Sequence, residues 1–191
     1  MYVLSIIAGW LGAHICDALF KSQAFSHAGF TFLGGLIFGS AFFIVSFIKF
    51  NGRENVMTAL NAGVMPLVLG QATGRIGCYF SGCCYGKLIA HSNLLSSFFA
   101  RHPTQIYESL FLFILFAFFS LKDKLRICIA DIYLYLMFYG TFRFFIEFLR
   151  GDYRGHYLYG LSPSQWLSLV IIMGMSIFLT TKSGRKLFIT K

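Results

Sequence analysis

Apolar runs alternate with short polar breaks along the whole chain. Six runs are long and apolar enough to form a membrane-crossing helix, which needs about 20 residues. They cover approximately 2–20, 29–48, 56–74, 104–121, 127–149 and 163–181. The third is the most polar, carrying Thr58, Asn61 and Gln71. The first has no basic segment ahead of it and no small-residue cleavage motif behind it, so it reads as a membrane helix and not as a leader. No long linker, low-complexity tract or obvious internal repeat interrupts the series. The pattern predicts an all-α polytopic integral membrane protein. It also predicts a single transmembrane domain over residues 1–191 with about six helices.

Composition narrows the solvent. Of 191 residues, 57% are hydrophobic and 12% are charged, against roughly 25% charged in a soluble domain. So few charges cannot screen this much apolar surface from water, which excludes a soluble fold. Disorder, a coiled coil and a disulfide-laced secreted scaffold fail on the same count.

The net charge of +9 is mostly topological. One side of a six-span arrangement carries Lys49, Arg53, Lys122, Lys124, Arg126, Lys182, Arg185, Lys186 and Lys191, nine basic residues. The other carries Lys21, Lys87, Arg101, Arg150 and Arg154, five. The positive-inside rule places the first side, with both termini, in the cytoplasm. The connections 81–103 and 149–162 then face outward, and a membrane-embedded site would open to that side. No basic soluble module is present, so nucleic-acid binding has no support.

Charged residues inside spans mark pathways or sites. Here they are Asp17, Arg75, Glu108, Asp131, Arg143 and Glu147, with His14 nearby. In the fifth span Asp131, Tyr135, Tyr139, Arg143 and Glu147 recur every fourth residue. Each step drifts about 40° around a helix, so Tyr139, Arg143 and Glu147 share a face while Asp131 turns away. An i,i+4 ion pair would neutralise Arg143 for insertion. A bound phosphate would also explain a planar guanidinium there.

Two more segments carry candidate chemistry. Gly70-Gln71-Ala72-Thr73-Gly74-Arg75-Ile76-Gly77-Cys78 surrounds an arginine with glycines at the end of a span. Such glycines let backbone N–H groups approach an anion, and a turn with a snorkelling arginine is the plainer alternative. Arg101-His102-Pro103-Thr104-Gln105-Ile106-Tyr107-Glu108 puts Pro103 at a helix start and His102 at its mouth, with Gln105 and Glu108 one turn apart. Gly35/Gly39 and Gly70/Gly74 are GxxxG pairs suited to close helix packing or to the approach of a lipid chain.

Cys78, Cys83 and Cys84 form a C-x4-C-C cluster, with Cys16 and Cys128 elsewhere. The spacing is not that of a zinc ribbon; metal binding together with His91 or His102 is the weaker alternative, and no metal is expected. An outward position would permit a disulfide from Cys78 to Cys83 or Cys84. Cys16 and Cys128 read as apolar fillers.

Together these segments resemble the bacterial prolipoprotein diacylglyceryl transferase family. Gly74-Arg75-Ile76-Gly77-Cys78 is similar to its glycine-arginine-x-glycine-asparagine block. His102-Pro103-Thr104-Gln105-Ile106-Tyr107-Glu108 is similar to its His-Pro-Thr/Ser-Gln-Leu-Tyr-Glu segment. Tyr139, Arg143 and Glu147, followed by Arg150, match its Tyr/Arg/Glu helix, and Ser164-Gln165 with Ser168 resembles a helix start in the family. Phe32-Leu33-Gly34-Gly35-Leu36-Ile37 resembles its Phe-His-Gly-Gly-Leu segment.

The resemblance implies transfer of the diacylglyceryl group of phosphatidylglycerol to the thiol of a prolipoprotein lipobox cysteine, or to a related acceptor. It implies a bacterial inner membrane, no cofactor, and substrates arriving from the periplasmic side. Arg75 and Arg143 would hold the phosphate, with Tyr139 and Glu147 orienting Arg143. Gly34, Gly35, Gly74, Gly77, Cys78, Gln105, Glu108 and Gln165 would line the lipid site.

The chain departs from the family pattern where the acceptor would be activated. Leu33 stands at the histidine position, and Cys78, Ser81 and Cys83 stand at the asparagine, asparagine and glutamate positions. The family's first, tyrosine-bearing segment has no clear counterpart. His102, and after it His27, are the candidate replacement bases. Cys78, Cys83 or Cys84 could instead act as a nucleophile that carries the lipid. A non-catalytic protein that clamps an anionic phospholipid with the same arginines is the alternative, and a transporter or channel ranks last.

Overall fold

The computed structural model describes residues 2–21, 32–52, 55–89, 99–122, 124, 129–152 and 159–181. Over these residues it is helical, without strands. The helices are α1 (Tyr2–Lys21), α2 (Phe32–Asn51), α3 (Val56–Phe80), α4 (Thr104–Lys122), α5 (Asp131–Ile146, extended by a 3-10 turn at Glu147–Leu149) and α6 (Pro163–Thr180). Four segments are long and apolar enough to cross a membrane: Val56–Phe80, Thr104–Lys122, Asp131–Leu149 and Pro163–Thr180. Shorter apolar stretches, Val3–Cys16 and Phe38–Asn51, lie in α1 and α2. Each of the six expected runs contains a helix among the described residues. His27, His91 and Cys128 lie outside the described residues, as do the side chains of Asp17 and Leu33.

The chain forms two compact units, Met1–Ala59 and Leu60–Lys191. In the first, α1 and α2 pack as an antiparallel pair through their glycines. A Cβ on Gly9 would lie 3.1 Å from the Gly35 carbonyl oxygen and 3.4 Å from the Gly39 Cα. One on Gly35 would lie 3.3 Å from the Ala13 Cβ. The Gly35/Gly39 pair therefore serves close helix packing.

In the second unit the buried stripe of α4 is apolar at one end and polar at the other. Leu112, Leu115 and Phe119 continue the line begun by Thr104, Gln105, Glu108 and Ser109. Val64, Val68 and Ala72 of α3 are fully buried, and Tyr133, Leu134 and Tyr135 of α5 are nearly so. Apolar burial does not drive association among lipid tails, so polar contacts matter here, at about 0.6 kcal/mol each. Ser109 Oγ donates to the Ala72 carbonyl at 2.9 Å. Tyr135 Oη donates to Gln71 Oε1 at 2.7 Å. Asn61 Oδ1 accepts from the Ile132 backbone N–H at 3.1 Å, satisfying one orphan donor of the α5 amino end. Two of the three residues that make the third span look polar, Asn61 and Gln71, thus tie α3 to α5. At the far end of α4, Lys122 pairs with Asp131 and donates to the Ile129 carbonyl at 2.7 Å.

Two boundaries differ from the sequence reading. The fifth helix starts at Asp131 and not at 127, with Ala130 as its cap residue. The third runs on to Phe80 instead of stopping at 74. Gly74-Arg75-Ile76-Gly77-Cys78 is therefore helix and not a turn. Its backbone N–H groups lie within the helix, so the expected glycine cradle for an anion is absent and Arg75 acts through its side chain alone.

Candidate active site

Glu108 is the hub of the second unit. It lies one turn inside α4 and is 1% exposed. Arg75 Nη2 from α3 meets its Oε1 at 2.9 Å, and Arg143 Nη1 from α5 lies 3.6 Å from its Oε2. Tyr139 Oη donates to Oε1 at 2.8 Å. The Tyr139 ring stacks on Tyr135, with centroids 5.5 Å apart and planes 5° from parallel. The four-residue periodicity of α5 thus builds a rail: Tyr135 fixes Tyr139, and Tyr139 fixes the carboxylate that gathers both arginines.

Arg143 is held from below as well. Its Nη2 pairs with Glu147 Oε2 at 3.0 Å and reaches Ser164 Oγ at 3.5 Å. Its Nη1 is buried and faces Glu108 Oε2 at 3.6 Å, an ion pair longer than a hydrogen bond. Arg150 extends the network. Its guanidinium makes a two-point contact with Asp152, both bonds at 2.9 Å, and lies 4.0 Å from Glu147. Burial opposes the Arg150 charge, but hydrogen bonding with Asp152 and Cys84 outweighs it and lifts its pKa above the ordinary arginine value. Three guanidiniums and three carboxylates make this network neutral as it stands.

The cysteines gather at the end of α3 for a reason of backbone geometry. Gly82 takes φ +66°, its N–H donates to the Tyr79 carbonyl at 3.1 Å, and the Cys83 N–H donates to the Cys78 carbonyl at 3.2 Å. This is a Schellman cap, which lays the second residue past the helix over the last turn. Here that pair is Cys83 and Cys78. Cys84, at φ +62°, turns the chain again. Thr104 Oγ1 donates to the Cys84 carbonyl at 2.8 Å, and Gln105 Nε2 donates to the Cys83 carbonyl at 2.5 Å. The three Sγ atoms lie within 4.8 Å of one another. None of the three is in a disulfide, so the one that the spacing permits is not formed. Partial desolvation and hydrogen bonding with Cys78 and Cys84 push the Cys83 thiol up to about 11, which leaves it in the weakly nucleophilic form near neutral pH.

A backbone ladder braces this mouth. Gly86 N–H donates to the His102 carbonyl at 2.9 Å, and Lys87 N–H donates to the Leu149 carbonyl at 2.8 Å. Segment 85–89 is thereby stitched to 100–102 on one side and to 149–151 on the other. A Cβ on Gly86 would sit 2.5 Å from the His102 oxygen, so the approach requires glycine. His102 is half-buried, with its Nδ1 3.5 Å from Tyr107 Oη.

The structure therefore brings together Arg75, Glu108, Tyr139, Arg143 and Glu147, and beside them Gln105, Cys78, Cys83 and Cys84. His102 stands at the mouth of α4, with no described contact to the arginines. Gln165 closes a capping box with Ser162 and donates to the Phe144 carbonyl at 3.4 Å, so its side chain is engaged in fixing α6 against α5. Gly34 and Gly35 belong to α2 in the first unit, where Gly35 is occupied by helix packing. A Cβ on Gly74 or Gly77 meets nothing within 4 Å, leaving the helix surface bare on either side of Arg75. Arg150, Asp152 and Gly86 complete the site without having been singled out as site residues by the sequence. An arginine just past a span and an Asp two residues on were the available signals.

Fold and site define an all-helical membrane protein with a neutralised arginine pair in its second unit. Comparison with known proteins gives the family. A family model described as prolipoprotein diacylglyceryl transferase matches residues 1–181. A Clostridium tetani protein named phosphatidylglycerol–prolipoprotein diacylglyceryl transferase is 39% identical over 161 residues, covering 78% of this chain and 63% of the relative. A Clostridium perfringens protein of that name, numbered 2, is 32% identical over 196 residues, covering 90% and 73%. A Bordetella avium protein of the same name is 31% identical over 188 residues, covering 91% and 67%. The chain belongs to the prolipoprotein diacylglyceryl transferase family. It spans less than two thirds of the length of the Clostridium tetani relative.

Proposed function

We propose that this chain transfers the diacylglyceryl group of phosphatidylglycerol to the thiol of a prolipoprotein cysteine. The observation that carries the reading is the meeting of two guanidiniums from different helices, Arg75 and Arg143, on the one buried carboxylate of Glu108. A phosphodiester matches such a pair, and two guanidiniums gathered in advance stabilise its growing charge without reorganising.

In the reaction the acceptor sulfur forms a bond to the glyceryl carbon while the carbon–oxygen bond to phosphate breaks. The bonding pair leaves on the phosphate oxygen, and glycerol phosphate departs with one more negative charge. The thiol proton passes to His102, the half-buried imidazole at the mouth of α4, and on to solvent. Arg75 and Arg143 contact the phosphate. Glu108, Tyr139 and Glu147 position them. The bare flank at Gly74 and Gly77 receives the lipid beside Arg75. The family supports a bacterial inner membrane, and the distribution of basic residues supports an orientation with the mouth at 81–103 facing outward and the termini in the cytoplasm.

The test uses purified protein, labelled phosphatidylglycerol and a lipobox peptide. Labelled peptide should form with the wild type and fall at least about 100-fold with Arg143→Ala, as for loss of an oxyanion-stabilising group. Saturable lipid binding without transfer across many peptides would overturn the enzymatic reading in favour of an anionic-phospholipid clamp.

A further inference from the structure

The three thiols at the end of α3 have no part in the phosphate chemistry, yet the fold assembles them with care. The Schellman cap lays Cys83 on Cys78. The φ +62° turn at Cys84 adds the third sulfur, a conformation that costs a non-glycine residue on the order of 1 kcal/mol. Two side chains from α4, Thr104 and Gln105, pin the carbonyls of Cys84 and Cys83. Three sulfurs within 4.8 Å of one another approach the tetrahedral edge of a zinc–thiolate centre, about 3.8 Å for Zn–S bonds of about 2.3 Å. Closing that gap needs side-chain rotation only, since Cys83 is exposed and its Sγ merely donates to the Cys78 carbonyl at 3.6 Å. The buried Arg150 guanidinium, engaged with Cys84, offsets the negative charge that three thiolates bring.

We propose that Cys78, Cys83 and Cys84 hold a soft divalent cation of the zinc class, leaving a fourth coordination position open to the thiol of the acceptor. Thiolate-rich sets select such ions, and a three-ligand set with a vacant place is the pattern of a reactive and not a structural site. Cys78 lies one turn beyond Arg75 on α3, so the cluster stands next to the arginine that would hold the phosphate. A thiol that binds the cation gives up its proton to His102 and on to solvent. Its sulfur then keeps the lone pair that forms the bond to the glyceryl carbon as the carbon–oxygen bond breaks toward Arg75 and Arg143. The role rests on the transferase reading, whereas the cation site itself does not.

The experiment titrates reduced, chelator-treated full-length protein in detergent with Co2+, followed by competition with Zn2+. One Co2+ per chain is expected, with the near-ultraviolet absorption of cobalt–thiolate bonds. Cys83→Ser should weaken binding at least tenfold and reduce that band by about a third, and Cys16→Ser should leave both unchanged. A cysteine-containing lipobox peptide should shift the visible cobalt bands, and its serine analogue should not. Binding no tighter than in the Cys78→Ser/Cys83→Ser/Cys84→Ser variant would overturn the site. An unshifted spectrum with the thiol peptide, or full-rate transfer by metal-free protein, would overturn its role with the acceptor. A cobalt site that forms in a protein unable to transfer lipid would uphold the site and remove the transferase reading instead.

Discussion

Arg75 and Arg143 come from different helices and meet on opposite oxygens of one carboxylate, that of Glu108, at 2.9 and 3.6 Å. A single acid thus decides where two guanidiniums sit. Glu108→Gln removes the charge and leaves both arginines in a nearly closed polar pocket. Breaking one partner out of a buried ion network costs about 3–5 kcal/mol. The variant should lose several degrees of thermal stability in detergent and at least about 100-fold in lipid transfer. Unchanged melting with unchanged transfer would show that Glu108 does not gather the arginines.

Arg143 should tolerate lysine poorly. A lysine keeps the charge but cannot present the forked donors that reach Glu108, Glu147 and Ser164 together. Arg143→Lys is expected to fold and to lose transfer by about tenfold or more, mainly in kcat. A loss confined to KM would assign Arg143 to ground-state lipid binding alone.

Tyr139 acts through Glu108. Tyr139→Phe keeps the stack on Tyr135 and deletes one donor to a buried carboxylate, a loss of about 1–3 kcal/mol. Tyr135→Phe instead strands Gln71 Oε1, farther from the arginines, and should lower stability with less effect on transfer. Chemical denaturation and steady-state rates on both variants separate the two roles.

Gly86→Ala should be more damaging than its mild chemistry suggests. Its Cβ would meet the His102 oxygen at 2.5 Å and the Leu149 oxygen at 2.9 Å, both backbone atoms that cannot swing aside. A destabilisation of about 1–3 kcal/mol is expected, with faster hydrogen exchange at Lys87 and His102, whose N–H groups close the ladder.

Cys83 should alkylate slowly in chelator-treated protein. With its pKa raised to about 11, it is thiolate to roughly one part in a thousand at pH 8. Its iodoacetamide rate should climb about tenfold per pH unit up to pH 10. A rate that levels off by pH 9 would show an ordinary thiol.

The periodicity of α5 was legible because a four-residue repeat of Tyr, Tyr, Arg and Glu maps directly onto a helix face. The extent of α3 was not. Asn61, Gln71 and a cluster of glycines argue locally for an ending, while tertiary contacts to Ile132, Tyr135 and Glu108 hold the helix through to Phe80. The meeting of the cysteines was half-legible: Gly82, four residues after Cys78, is a cap signal, but the clamp from Thr104 and Gln105 is a long-range contact that no spacing announces. Arg75 and Glu108 could each be marked as out of place in lipid, yet not as partners.

The partnership of Arg75 with Glu108 also bears on how the chain enters its membrane. Arg143 finds Glu147 on its own helix, so α5 can insert carrying a neutral pair. Arg75 has its carboxylate only on the next helix, across the connection 81–103. An arginine released alone into hydrocarbon is costly, so the cheaper course is for α3 to wait beside the insertion machinery until α4 arrives. The two would then leave as a hairpin, with the first ion pair of the site already formed before α5 is made.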